Sequence, residues 1–310
     1  MLKEINKDKK MSEKSSWKNQ IVEESFQTRC IDGVVLKGKL LIPESPKAIV
    51  QFNCGTATKK EVYHKFLKYI AEHNFICCLW DYRDSGESAP SSLKDCAYVY
   101  SDYGTKDMPA IKDFLTSKFP DLPFLILGHS TGGQQVGFMN NLKGIKGAIN
   151  FAVSTGYYPN MPLSYRMNAY VFFYIFAPLS VLFTGYVAAK RFGFMEDLPK
   201  GVAYQWRAWC SKKDYLFDKR FYGKSVPLGN YQNFHFPIHV YWTVDDTISN
   251  EANTKNLWGH IKSAKGITFT KVVPKEYGVL SIGHFGFFRR KLKSKLWKDV
   301  VFRLEQMLED

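Results

Sequence analysis

The chain has 310 residues, of which 45% are hydrophobic, enough to bury a large core as one domain with an insertion or as two. Its net charge of +14 is spread along the sequence with no Arg-rich or Lys–aromatic repeat, which speaks against a nucleic-acid-binding module and for a Lys-rich surface. Its six cysteines follow no metal spacing, Cys77 and Cys78 being adjacent and no C-x-x-C occurring; free buried thiols in a reducing, cytoplasmic setting are expected, with no metal.

Residues 1–19 place Lys3, Lys7, Lys9, Lys10, Lys14 and Lys18 among Ser and Glu without an apolar run, so a basic disordered tail is expected rather than a signal peptide. Two strand-like runs, Ile21 to Cys30 and Val34 to Ile42, flank Asp32-Gly33, a hairpin signal. Ala48 to Phe52 is a short apolar strand. Lys60 to His73 reads as an amphipathic helix with Val62, Phe66, Tyr69 and Ile70 near one face. Phe75 to Trp80 is another buried strand, and Ser101 to Lys118 is helical. Phe124 to Leu127 then ends at Gly128-His129-Ser130-Thr131-Gly132-Gly133, and Gln134 to Leu142 is read as helical.

A buried strand leading through G-x-S-x-G into a helix is a nucleophile elbow, in which a strained turn presents one serine hydroxyl above a sheet. Glycine is needed at 128 and 132 because a Cβ would crowd the neighbouring strand and helix. The N–H groups and dipole of the following helix face a developing oxyanion. The order expected for such an elbow is Ser, then Asp or Glu, then His.

Gly147 to Ser154 supplies the next strand. The strand rhythm then stops from Tyr157 to about Tyr231 and resumes with Ile238 to Val244 (strand), Asn250 to Ile261 (helix), Ile267 to Val273 (strand) and Lys293 to Leu308 (helix). This alternation predicts an α/β fold with a mostly parallel sheet. Its core is split into residues 20–156 and 233–310, and residues 157–232 form a helical cap over the site. Within the cap, Met167 to Ala189 contains no charged residue and is long enough to span a bilayer. Asn168, Ser180 and Thr184 dilute it, Pro178 breaks it, and Arg166, Lys190 and Arg191 flank both ends. Two cap helices with an apolar underside, or a lid touching lipid, are therefore expected in place of a span.

His284, between the last predicted strand and last helix, has the position of a general base. His129 is expected to pack, His64, His73 and His260 to lie on helix surfaces, and His239 to pack within a strand. The acid should leave the strand ending at Val244, where Asp245 and Asp246 both stand. Alternation allows only one of them to face the histidine. Asp246 is assigned that place, and Asp245 is expected to be solvated or to hold the turn.

These residues resemble those of the α/β-hydrolases, and more closely of uncharacterised bacterial members near the serine aminopeptidases and monoacylglycerol lipases. The matching stretches are Asp81-Tyr82-Arg83 with Gly86 and Ser88, Gly128 to Gly133, Asp246-Thr247-Ile248, Asp197-Leu198-Pro199, Trp206 to Cys210, and Gly283 to Arg289. The resemblance runs from about Gln20 to the C-terminus. It implies the α/β-hydrolase fold, a Ser130–His284–Asp246 triad, and no metal or organic cofactor. Two departures stand out: Asp84 replaces the glycine usual after Asp-x-Arg, and Asn53-Cys54-Gly55-Thr56 replaces the usual His-Gly pair beside the oxyanion hole. Thr131 N–H, with Thr56 N–H as the second donor, is the expected oxyanion hole, and Cys54 an inert packed thiol.

The function expected is serine-dependent cleavage of a small-molecule carboxylic ester with an apolar acyl group, through an acyl-enzyme. A peptidase or amidase, a thioesterase or an acyltransferase would use the same residues, and a non-catalytic or membrane-associated binding protein could occupy the same scaffold. Arg289, Arg290, Lys291, Lys293, Lys295 and Lys298 leave two readings open: a merely solvated surface, or a basic rim that joins an apolar lid in peripheral contact with an anionic membrane.

Overall fold

The computed structural model describes residues 20–309; the tail expected over residues 1–19 lies outside the described residues. Strands β1 (Val22–Arg29) and β2 (Val35–Ile42) form the expected antiparallel hairpin, with Gly33 at φ +86 in the connecting turn, a conformation that favours glycine. The chain continues through β3 (Ala48–Asn53), helix α1 (His64–Ala71), β4 (Phe75–Trp80), α2 (Met108–Lys118), β5 (Phe124–His129), a single-turn α3 (Thr131–Gln134) and β6 (Ile145–Phe151). After the intervening residues come β9 (Ile238–Thr243), α7 (Glu251–Trp258), β10 (Ile267–Val272) and α8 (Lys298–Glu309), the numbers between belonging to the elements described next.

One eight-stranded sheet runs in the order β1-β2-β4-β3-β5-β6-β9-β10. All its pairings are parallel except β1 with β2 and β2 with β4. Every residue of β3, β4, β5 and β9 is buried, as expected for parallel strands covered on both faces. The edge strands β1 and β10 are largely exposed or half-buried. Helix α1 packs on β4 and β2, α2 on β1 and β3, and α8 on β6, which flanks the sheet with helices.

Between β6 and β9 lie α4 (Leu163–Val171), α5 (Ala177–Thr184), a small antiparallel ribbon of β7 (Tyr186–Val187) and β8 (Leu198–Pro199), and α6 (Lys200–Cys210). Helices α4 and α5 are one continuous helix, Leu163–Thr184, joined by a π-helical turn over Phe172–Phe176. The two separate helices expected around Pro178 are therefore one. Proline lacks an N–H and crowds the preceding turn; the wider π turn just before Pro178 absorbs both defects without a break.

Three smaller differences are local. The predicted helix from Lys60 starts as a 3-10 turn, Lys60–Tyr63, which puts Val62 on the surface while Phe66, Tyr69 and Ile70 are buried as expected. The helix read over Gln134 to Leu142 is only α3 and a 3-10 turn, Val136–Phe138, since Gly132, Gly133 and Gly137 are poor helix formers and the Tyr231 ring lies against Gly137. The basic residues from Arg289 to Lys298 do not rim the cavity described below; Lys293 instead pairs with Glu72 and Lys295 donates to the Glu276 carbonyl.

Candidate active site

Strand β5 ends at His129, and Ser130 follows at φ +51, ψ −119. A non-glycine residue held there costs about 1–3 kcal/mol, and close packing enforces it. A Cβ on Gly132 would stand 2.0 Å from the Asn53 carbonyl oxygen, and one on Gly128 2.7 Å from Gly133 backbone. The Ser130 N–H donates to the Phe151 carbonyl at 3.0 Å, tying the turn to β6. Because α3 is a single turn, its macrodipole is small. Any oxyanion stabilisation here rests on individual N–H groups rather than on a long helix. Among the described residues, the N–H groups of Thr56 and Thr131 donate to no protein acceptor.

The two aspartates stand in the turn after β9, closed by the Asp246 N–H donating to the Thr243 carbonyl at 3.3 Å, and they face different ways. Asp246 is buried; one carboxylate oxygen accepts the His284 Nδ1–H at 2.7 Å, and the other accepts the N–H groups of Ile248 and Ser249 at 2.8 and 2.9 Å. With Nδ1 carrying the proton, Nε2 of His284 is left as a base. Asp245 grips the backbone of the His284 loop instead. It accepts the Ile282 N–H at 2.8 Å, the Gly283 N–H at 3.1 Å and the Thr243 hydroxyl at 2.7 Å. Partial burial would raise the Asp245 carboxyl, but the Thr243 hydroxyl and the two N–H groups outweigh it and hold the carboxyl below its ordinary value.

A second chain of hydrogen bonds joins three loops around Ser130. Gly55 N–H donates to the Tyr63 hydroxyl at 3.0 Å, which donates to His129 Nδ1 at 2.8 Å; His129 Nε2–H donates to the His284 carbonyl at 2.9 Å. Burial, followed by the nearby His284 ring, holds the His129 pKa well below its ordinary value, so the ring is neutral, as this donor pattern requires. His129 thus packs, as expected, but also fastens the His284 loop. Below it, Phe288 contacts the rings of Phe52, Tyr63, Phe66, His129 and Phe151 at centroid distances of 4.8–5.7 Å, anchoring the same loop in the core.

Ser130, His284 and Thr56 share the wall of one cavity of about 1080 Å³ with Phe172, Phe176 and Trp206 from the region between β6 and β9. The Thr56 hydroxyl is hydrogen-bonded to that of Tyr100 at 2.5 Å. Cys54 is buried beneath this wall, and burial first, then the charge of Asp81, pushes its thiol well up, leaving it protonated and unreactive. A cluster of Glu61, Asp81 and Glu87 has metal-like spacing, but the Lys60 ammonium sits among the three carboxylates at 3.1, 2.5 and 2.5 Å and supplies the positive charge itself. The Tyr63 relay, the grip of Asp245 and the Lys60 cluster left no motif in the sequence, because each joins residues far apart along the chain.

The family described as serine aminopeptidase, S33, matches residues 44–172, a segment running from before β3 through the elbow into the long helix. No curated protein matches the chain. Among solved structures, a soluble variant of monoglyceride lipase from Saccharomyces cerevisiae, bound to a substrate analogue, is similar with a TM-score of 0.63 and 14% identity, over 94% of this chain and 96% of that one. An esterase from Pyrococcus furiosus gives a TM-score of 0.58 at 12% identity, over 93% and 91%. A thermostable carboxyl esterase from Bacillus coagulans, in complex with glycerol, gives 0.56 at 14% identity, over 93% and 99%. By its sheet order, its elbow and these likenesses the chain has the α/β-hydrolase fold, and over residues 44–172 it is similar to the S33 serine aminopeptidases.

Proposed function

We propose that the protein is a serine hydrolase that cleaves a small-molecule carboxylic ester with an apolar acyl group. The observation that carries this reading is the Asp246–His284 pair at 2.7 Å on the same cavity as a serine in strained elbow geometry. In this mechanism His284 Nε2 takes the Ser130 hydroxyl proton as the oxygen attacks the ester carbon. Asp246 orients the ring and stabilises its charged form. The N–H groups of Thr131 and Thr56, free of protein acceptors, receive the oxyanion. His284 then protonates the leaving alkoxide, and water, activated by the same ring, releases the acid from the acyl-enzyme. No cofactor or metal is needed in these steps.

Residues 157–232 act as a cap, and its cavity-lining Phe172, Phe176 and Trp206 give the acyl group its apolar seat. Six free cysteines suit a reducing cytoplasmic compartment. Peripheral contact with an anionic membrane belongs to the same reading, because lipid is where an apolar acyl ester resides. The reading is tested with p-nitrophenyl esters of rising chain length beside matched amides and thioesters. Ester turnover should lead, and kcat/KM should rise from acetyl toward medium chains by up to about fourfold per buried CH₂. Ser130→Ala and His284→Ala should each lower kcat by about 10⁴ or more. A folded Ser130→Ala protein keeping over about a tenth of wild-type turnover would sink the assignment, since triad members act as a unit.

A further inference from the structure

The helix Leu163–Thr184 is held on one side and bare on the other. Phe173 and Ala177 are buried, the Phe173 ring meets Trp206 edge-on at 5.0 Å, and Arg207 donates to the Phe173 carbonyl at 3.3 Å. Toward solvent, Leu163, Met167, Val171, Ile175, Leu179 and Phe183 recur every fourth residue and are 49–81% exposed. Only 11% of its most apolar 18-residue window is buried. So long a bare apolar face marks an interaction site on a water-soluble fold. Because the opposite side is bound to α6, the helix cannot be surrounded by lipid as a span would be.

The apolar surface continues over the cavity rim. The Phe176 ring lies 5.3 Å from Phe192 and 5.7 Å from Phe194. Both of these phenylalanines are more than half exposed, while Phe176 and Phe194 also line the cavity that holds Ser130. Arg191, exposed beside them, stacks over Phe192 at 5.4 Å and has no carboxylate partner among the described residues. Residues 157–232 contain ten Lys or Arg against four Asp or Glu. A second copy of this chain would bring like charge against like charge across a two-fold interface, whereas an anionic bilayer complements both the bare apolar stripe and its basic flank.

We infer that the Leu163–Thr184 helix lies in the plane of an anionic bilayer, its bare face among the acyl chains, and that the ester reaches Ser130 sideways between this helix and the Phe192–Phe194 turn. The docking stands on the helix alone; the route of the ester rests on the hydrolase reading above. The test is flotation of the full-length protein with phosphatidylcholine vesicles, with and without phosphatidylglycerol. Wild type should float with the anionic vesicles and be released by rising salt. Leu182→Ser/Phe183→Ser alters exposed residues outside the cavity. It should lower vesicle partition about tenfold or more and leave p-nitrophenyl acetate turnover unchanged. Arg191→Glu should lower partition about fivefold or more. Ser130→Ala should bind vesicles like wild type, so a failed hydrolase assignment and a failed docking surface give different results. No flotation by wild type, or undiminished flotation by the double variant, would overturn the inference. So would a solution dimer that the double variant dissolves, or wild type that resists extraction by alkaline carbonate, because the stripe would then be a protein interface or a span.

Discussion

Adjacent aspartates with opposite assignments give the most discriminating prediction. Asp246→Asn keeps the shape but puts an amide where His284 Nδ1–H needs an acceptor, or turns the amide round and strands the N–H groups of Ile248 and Ser249. The first orientation costs the histidine its tautomer, both cost it the negative charge that stabilises the imidazolium, and kcat should fall by about 10³–10⁴. Asp245→Asn touches the histidine only through its backbone. Of the three hydrogen bonds Asp245 accepts, an amide can keep those at its oxygen and must lose at least one at the other position. A hydrogen bond to a charged group is worth about 1.5–3 kcal/mol; with this carboxylate half-buried, about 1–2 kcal/mol is expected, or a melting temperature lower by about 2–8 °C. Its kcat should fall less than about tenfold. Both variants are compared by p-nitrophenyl ester kinetics and thermal melts under one set of conditions. A large kcat loss for Asp245→Asn with little for Asp246→Asn would refute the reasoning, since the side-chain geometry would then be shifted by one residue.

Tyr63→Phe strands the Gly55 N–H and His129 Nδ1 and loosens the loop that carries Thr56; kcat should fall on the order of tenfold with KM little changed, and unchanged kcat would argue against Thr56 as a donor. Phe288→Ala removes the ring beneath the His284 loop and should destabilise the protein by about 3–5 kcal/mol in urea or thermal unfolding. Asp84, hydrogen-bonded by Tyr103 and Ser85, has a carboxyl pushed up to about 7: burial raises it, the Tyr103 hydroxyl partly offsets this, and the charge of Asp107 adds to the rise. A raised carboxyl contributes stability in acid that is lost as pH climbs through about 7. Asp84→Asn should therefore gain melting temperature relative to wild type between about pH 5 and pH 8, and an unchanged difference would show that Asp84 does not titrate there.

The parts legible in the sequence were those set by local rules. Uniform apolar runs marked β3, β4, β5 and β9, and Asp32-Gly33 marked the hairpin. Glycines at 128 and 132 marked the close approach that holds Ser130 in its turn. Asp246-Thr247-Ile248, an acid, one spacer and an apolar residue, pointed to Asp246 rather than Asp245 as the partner of His284, and Asp246 accepts its Nδ1–H. Local rules failed where tertiary contacts decide. Tyr231 against Gly137 cut short the helix after the elbow, and the π turn before Pro178 kept one helix where a break was expected. The basic run from Arg289 to Lys298 lies near His284 in sequence, whereas the cations lining the cavity, Lys59 and Lys190, come from other parts of the chain. The Gly55–Tyr63–His129–His284 relay joins four separated positions through side-chain geometry that no spacing encodes.

The central claim is that Ser130 is the nucleophile. Reaction of the purified, folded protein with a fluorophosphonate, followed by peptide mass spectrometry, tests it directly. A single phosphonyl adduct on the peptide carrying Ser130 is predicted, formed slowly or not at all in His284→Ala and absent in Ser130→Ala. An adduct on another serine, or none on a protein that hydrolyses esters, would contradict it.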